Sequence, residues 1–352
     1  MNAVSRPGGD WPSLTAGAVE PIPALGWPQL LRLGATGIAV DFRDRHRDPA
    51  LRKRPLARAL DPRLHQPIFI IGSPRSGTTF LGACIGRMPE VSYHFEPRLT
   101  KAVAGRVYDG SWSKPRSRRL FRTSYSALLL AALHGGRRFA EKTPENSFLV
   151  PFLATSFPDA QFVHIIRDGR DAAVSHAEKP WLTAAAAGAG RRGPAGEPRG
   201  PYPRWWVEPE RGAEFMAVPD IVRAGWAWRR FTEAALEGLS TLAPERVIEV
   251  RYESVVSDPM GAAESLGEFL GASARGRDGL RAGLGNASKS SVGRWRKMLS
   301  EQEIVDLERH IGPMLTRLGY ATESTSHVPE QAGPGPEGDH PRMSLGEKAR
   351  GD

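Results

Sequence analysis

The stretch "IIGSPRSGTTFL", Ile70–Leu81, restricts the fold more than any other part of the chain. A continuous apolar run, Pro67–Gly72, of the kind buried on both faces in parallel sheets, leads into a loop that contains two glycines. A helical pattern, Thr78–Met88, follows at once. Strand, glycine loop and helix N-terminus together make an anion site, because backbone N–H groups converge there and the helix dipole adds positive potential. Gly72 and Gly77 keep the spacing of a G-x-x-x-x-G-K-[ST] phosphate loop, but Thr78 and Thr79 stand where the lysine and its hydroxyl neighbour belong. Arg75 puts a cation inside the loop instead, and the two threonine hydroxyls can donate to an anion.

Two further strands are plain, the first of them a buried one. "AQFVHIIRD" spans Ala160–Asp168 and "RVIEVRYE" spans Arg246–Glu253. Shorter ones are expected in Glu90–Pro97 and Arg138–Lys142, with helices over 117–134, 147–157, 170–176, 219–239, 260–270 and 301–318. This alternation predicts an α/β fold: a P-loop-like doubly wound parallel sheet flanked by helices, in a single main domain over 67–322. Residues 1–66 read as an N-terminal extension with a possible helix at Trp27–Phe42. Residues 184–215, dominated by Ala, Gly, Pro and Arg, read as a flexible insertion, and 323–352 as a disordered C-terminal tail.

The formal charge of +9 favours an anionic partner. Basic clusters lie at Asp41–Arg58 and Lys114–Arg119, but no zinc spacing, RNA-binding aromatic motif or heptad accompanies them, so nucleic acid is not expected. No apolar run approaches the roughly 18 residues of a membrane span. The first residues lack the apolar core of a secretory signal, and the single cysteine, Cys84, excludes an intrachain disulfide. The expectation is a cytoplasmic protein with Cys84 as a small core residue.

At the end of the second strong strand, Arg167 precedes Asp168. A phosphate-loop kinase or NTPase would use an aspartate there for Mg²⁺, whereas an arginine suits direct binding of another phosphate.

"PRSGTT" and "RDGRDAAVS" together resemble the sulfotransferases that use 3′-phosphoadenosine 5′-phosphosulfate (PAPS), in the arginine-loop style of tyrosylprotein, carbohydrate and bacterial-type members. The resemblance implies that Pro74, Arg75, Ser76, Gly77, Thr78 and Thr79 cradle the 5′-phosphosulfate, and that Arg167 and Ser175 grip the 3′-phosphate. It further implies that Phe80 and Tyr252, the latter in "EVRYESVVSDP", flank the adenine. Lys289, in the degraded late motif "SKSSVGRWRK", falls where a lysine approaches the 3′-phosphate. Ser288 and Ser290 depart from the pattern there. An atypical phosphate-loop kinase or NTPase, or a non-catalytic nucleotide-binding protein, is the alternative to a sulfotransferase.

In-line sulfuryl transfer needs a base for the acceptor and cations for the sulfuryl and leaving-group oxygens. The base candidates are Glu96 and His94 in "HFEPR", with Glu96 favoured by resemblance; an ion pair with Arg98 is its structural alternative. Lys142, in "EKTPEN", is the cation for the leaving group, beside Arg75. Thr143 or Asn146 is read as a cap for the next helix. PAPS is expected as co-substrate, with no metal. "RWW", Arg204–Trp206, reads either as a lid over the acceptor or as packing. The acceptor (saccharide, peptide, lipid or small natural product) and the oligomeric state are not legible.

Overall fold

The computed structural model describes residues 26–45, 60–187, 193 and 198–322. Five strands form one sheet: β1 (Ile68–Ile71), β2 (Val91–Phe95), β3 (Arg138–Lys142), β4 (Gln161–Ile166) and β5 (Val247–Arg251). The order is β2-β3-β1-β4-β5, and every pairing is parallel. In chain order the helices are α1 (Trp27–Arg45), α2 (Thr78–Ile85), α3 (Arg98–Tyr108), α4 (Lys114–Ala131), α5 (Val150–Ser156), α6 (Gly169–Ala177) and α7 (Gly212–Ala217). After them come α8 (Asp220–Leu239), α9 (Tyr252–Ser257), α10 (Pro259–Phe269), α11 (Ala274–Leu284), α12 (Trp295–Met298) and α13 (Glu301–Arg317).

β1 is central, and its residues alternate between two cores. Phe69 and Ile71 pack with Phe121, Tyr125 and Leu129 of α4, and with Leu153 of α5. Ile68 and Ile70 pack with Leu81 and Ile85 of α2, Leu266 of α10 and Leu284 of α11. Burial on both faces is why the strand reads as unbroken hydrophobics rather than as an alternating pattern. With helices on both sides, the expected doubly wound α/β architecture is present. All five strands run parallel, so their carboxyl ends lie along one edge, and ligands of such sheets bind outside those ends.

Local chemistry sets the boundaries. Asp168 caps α6 by accepting from the Arg170 N–H at 2.9 Å. Ser300 and Glu303 close a capping box on α13. Five helices, α3, α7, α9, α11 and α12, lie in sequence that the periodicity did not mark as helical, and α3 and α11 are the long ones.

Residues 184–215 differ from the expected loose insertion where they are described. Val207 and Phe215 are buried, and Trp206 packs on Phe215 and Phe231. Trp205 meets Phe148 edge-on, with ring centroids 5.1 Å apart. The aromatics anchor a stretch whose Gly and Pro content suggested mobility, so "RWW" is a packed wall rather than a free lid. Residues 1–25, most of the basic cluster at 41–58, and the 323–352 tail fall outside the described residues. No described helix is long and apolar enough to cross a membrane.

Candidate active site

The phosphate loop runs from Gly72 to Gly77, between β1 and α2. Gly72 has φ 143°, and a Cβ there would lie 2.4 Å from the Ile165 carbonyl oxygen. Gly77 has φ 94°, and a Cβ would lie 2.6 Å from the Tyr252 ring. Both positions need glycine twice over, for conformation and for space. Arg75 has φ 72°, in the left-handed region that a residue with a Cβ seldom adopts. The Ser76 hydroxyl is buried in the loop and has no hydrogen-bond partner among the described residues. Thr78 is buried at the first turn of α2, Thr79 is exposed, and Phe80 packs partly buried against the α2-side core.

Because β4 is the immediate neighbour of β1, its tip meets this loop. Arg167 donates to the Arg75 carbonyl at 2.9 Å and to the Ser291 carbonyl. Its guanidinium lies 4.8 Å from the Tyr252 ring centroid. Arg75 Nε donates to Ser175 Oγ, on α6, at 3.0 Å. The structure therefore brings Arg75, Arg167, Ser175 and Tyr252 into one cluster. Among the described residues Arg167 makes no carboxylate ion pair, and its Nε is buried without a partner. Burial lowers the Arg75 pKa, and nearby Arg167 lowers it further, against the pull of Glu178. Two cations facing each other with unspent donors is the arrangement an anion completes.

Lys289 is exposed on a 3-10 turn two residues before Ser291, so the late segment does reach the β4 tip. Asp171 fastens that segment by accepting from the Gly293 and Trp295 N–H groups at 2.7 and 2.9 Å. Arg170 does not face the cluster. It is spent on Asp168 and Glu308, both at 2.8 Å, and stacks 3.9 Å over Trp295. Asp168 is correspondingly occupied.

Glu96 follows β2 with φ 42°, again in the left-handed region. Its Oε1 pairs with Lys142 at the end of β3, and its Oε2 with Lys101 of α3 at 2.6 Å. Lys101 also lies 3.4 Å from Glu145. Burial alone would raise the Glu96 carboxyl, but Lys101 and Lys142 outweigh it and hold it below its usual range. Burial lowers Lys142, with Glu96 pulling the other way. The anticipated ion pair with Arg98 is not what forms: the partners are the two lysines.

His94 is not positioned as a base. Its ring is 1% exposed, stacked on Phe139 at 4.5 Å and bonded to Ser92 at 2.9 Å. Alternation alone would put the two on one face; His94 points into the packed layer from within β2, whereas Glu96 lies past its end, where a φ of 42° turns the chain. Thr143 and Asn146 do not cap the next helix. They donate to the fully buried Glu141, at 2.8 and 2.9 Å, with Tyr125 on the same carboxylate.

A cavity of about 590 Å³ joins these parts. Arg75, Thr78 and Thr79 border it from the loop, Glu96 and Lys142 from the β2 and β3 ends, and Trp181, Trp205 and Phe231 as an aromatic wall. His94 is absent from its lining and borders another cavity, beneath α1 and α4, instead. Lys101 and Glu145, which the sequence alone did not single out, line the shared space. The signal for Lys101 was its place five residues after Glu96, visible only once α3 is known to begin at Arg98.

A glycine loop with unspent donors at one strand tip, beside a carboxylate–lysine pair at two others, has the make-up of a site for an anionic ligand. Comparison with known proteins agrees: the model of the sulfotransferase family matches residues 67–190. Protein-tyrosine sulfotransferase 2 of Gallus gallus is 23% identical over 288 residues, covering 72% of this chain and 69% of that protein. Protein-tyrosine sulfotransferase A of Caenorhabditis elegans is 22% identical, covering 72% and 67%. Among solved structures, sulfotransferase STF9 from Mycobacterium avium superposes with a TM-score of 0.46 at 14% identity, covering 84% of this chain and 86% of that one. Over residues 67–190 the chain is thus similar to the sulfotransferase family, and the curated relatives it resembles over most of its length are protein-tyrosine sulfotransferases.

Proposed function

We propose that this enzyme transfers a sulfuryl group from PAPS to a hydroxyl or amine acceptor, without a metal. The observation that carries the reading is the junction of two neighbouring strand tips, where Arg75 and Arg167 converge on Ser175 and Tyr252 within one cluster. A nucleotide bearing phosphates at both ends of its ribose suits two cationic poles so placed. In this reading the loop from Pro74 to Thr79 holds the 5′-phosphosulfate, with Ser76 supplying the hydroxyl that otherwise has no partner. Arg167, Ser175 and Lys289 hold the 3′-phosphate, and Tyr252 and Phe80 face the base.

Glu96 takes the proton of the acceptor as its oxygen or nitrogen attacks sulfur. Lys142 and Arg75 stabilise charge on the sulfuryl and bridging oxygens as the bond to the 5′-phosphate breaks. Positioning and charge stabilisation do most of the work, as in phosphoryl transfer. The cavity between Glu96 and the tryptophan wall is the place for the acceptor, and the named activity of the relatives favours a hydroxyl carried on protein.

Thermal shift with adenosine 3′,5′-bisphosphate against ATP–Mg²⁺ tests the donor. A ligand at about one hundred times its Kd stabilises by about 2.7 kcal/mol. The bisphosphate is expected to raise the melting temperature and ATP–Mg²⁺ to leave it; the reverse would favour a kinase. Mass spectrometry of acceptor pools incubated with PAPS then reads the acceptor as a gain of one sulfuryl group.

A further inference from the structure

On the PAPS reading, two demands on Glu96 conflict. Both of its carboxylate oxygens are engaged, Oε1 by Lys142 and Oε2 by Lys101. To accept a proton, Glu96 must free one oxygen. To stabilise the leaving group, Lys142 must turn from Glu96 to the donor. Both needs are met by one movement, in which Lys142 leaves Oε1.

That movement would strip a largely buried carboxylate of one of its two cations. What stays is Lys101. It rises from the first turns of α3 and is braced from the far side by Glu145, on the 3-10 turn after β3, at 3.4 Å. This turn is itself pinned beneath, where Thr143 and Asn146 donate to Glu141. Lys101 thus has a second anionic neighbour and a fixed support. Lys142, among the described residues, pairs with Glu96 alone and lies over the Phe95 ring, 4.2 Å away.

We propose that Lys101 is a positioning residue that keeps hold of Glu96 Oε2 while Lys142 crosses to the donor and Oε1 turns to the acceptor. The balance of the step is simple. The acceptor proton goes to Glu96 Oε1, the acceptor–sulfur bond forms, the sulfur–oxygen bond to the 5′-phosphate breaks, and Lys142 neutralises the oxygen released.

Four groups besides Glu96 set its charge environment: Lys101 on α3, Lys142 and the buried Glu141 on β3, and Glu145 on the turn beyond. The test needs no acceptor. Glutamate labelled at the side-chain carboxyl carbon is followed by NMR against pH, with Glu96 assigned through Glu96→Gln. The protein is saturated with adenosine 3′,5′-bisphosphate, and saturation is established by calorimetry.

Lys101→Met is expected to raise the Glu96 midpoint by about one to three pH units, with nucleotide affinity within about twofold of wild type. Lys101→Arg is expected to restore the wild-type midpoint, and Glu145→Gln, which removes a nearby negative charge, to shift it the opposite way. The last two variants carry the test should Lys101→Met not fold. A Glu96 midpoint that moves in neither Lys101→Met nor Glu145→Gln, or that Lys101→Arg fails to hold at the wild-type value, overturns the proposal. Failure of the bisphosphate to bind wild type would instead overturn the PAPS reading on which it rests.

Discussion

Arg75 and Glu96 are two of only four described non-glycine residues with positive φ. Such backbone costs on the order of 1–3 kcal/mol per residue and persists where surrounding structure forces it. Both residues border the cavity between the loop and the ends of β2 and β3, so the strain sits where aiming a side chain matters. Glu96→Gln keeps the shape and removes the proposed base. Turnover is expected to fall about 10²–10⁴-fold with nucleotide binding intact, read by steady-state kinetics beside calorimetry. Gly77→Ala meets both the positive φ and the Tyr252 ring, so a loss of about 1–3 kcal/mol in chemical denaturation should accompany weaker nucleotide binding. Arg170 is the contrasting case. Arg170→Ala takes the buried ion-pair partner from Asp168 and Glu308 and is expected to cost about 3–5 kcal/mol, with the nucleotide affinity of the folded fraction unchanged.

Among the elements, those fully buried by the sheet were the legible ones. β1 and β4 are apolar at nearly every position because helices cover both faces, so "IFII" and "FVHII" announce themselves. The loop residues were legible for a different reason: Gly72 and Gly77 are demanded by backbone geometry, and Arg167 by its place at a strand tip. α3, "RLTKAVAGRVY", and α11, "ARGRDGLRAGL", were not, because small residues and arginines supply little hydrophobic contrast. With α3 unread, Lys101 could not be placed beside Glu96. His94 was misjudged for want of register, since one residue along a strand exchanges solvent for core. The 198–215 stretch was misjudged from composition, although Trp205, Trp206 and Phe215 were in plain view. Ser300→Ala on α13 tests an element boundary by itself. Loss of the capping box is expected to cost about 1 kcal/mol in urea denaturation and to leave nucleotide binding unchanged.

For the whole molecule, the parallel order β2-β3-β1-β4-β5 gathers chemistry from distant sequence at one edge of the sheet. Glu96 follows β2, Lys142 ends β3, Arg75 lies in the loop after β1, Arg167 follows β4 and Tyr252 follows β5 at the start of α9. The same close packing makes the fold sensitive to acid. Burial lowers His164 to about 4, and burial with nearby Arg75 and Arg204 lowers His176 to about 3. Both are neutral when folded, while the unfolded chain takes up protons near its ordinary histidine value of 6.5. Stability is therefore full above about pH 6.5 and is lost as pH falls toward 4, by at most about 1.4 kcal/mol per pH unit for each histidine. Urea midpoints at pH 7 and pH 5 should show this loss, and His164→Gln should reduce it.

The central claim is that one nucleotide is held at both ends by neighbouring strand tips, and its most direct test is calorimetry on wild type and Arg167→Ala with two ligands. Adenosine 3′,5′-bisphosphate should lose about 10–100-fold in affinity, as expected for removal of charge-assisted hydrogen bonds. Adenosine 5′-phosphosulfate, which has no 3′-phosphate, should bind both proteins about equally. Equal losses for the two ligands would contradict the account.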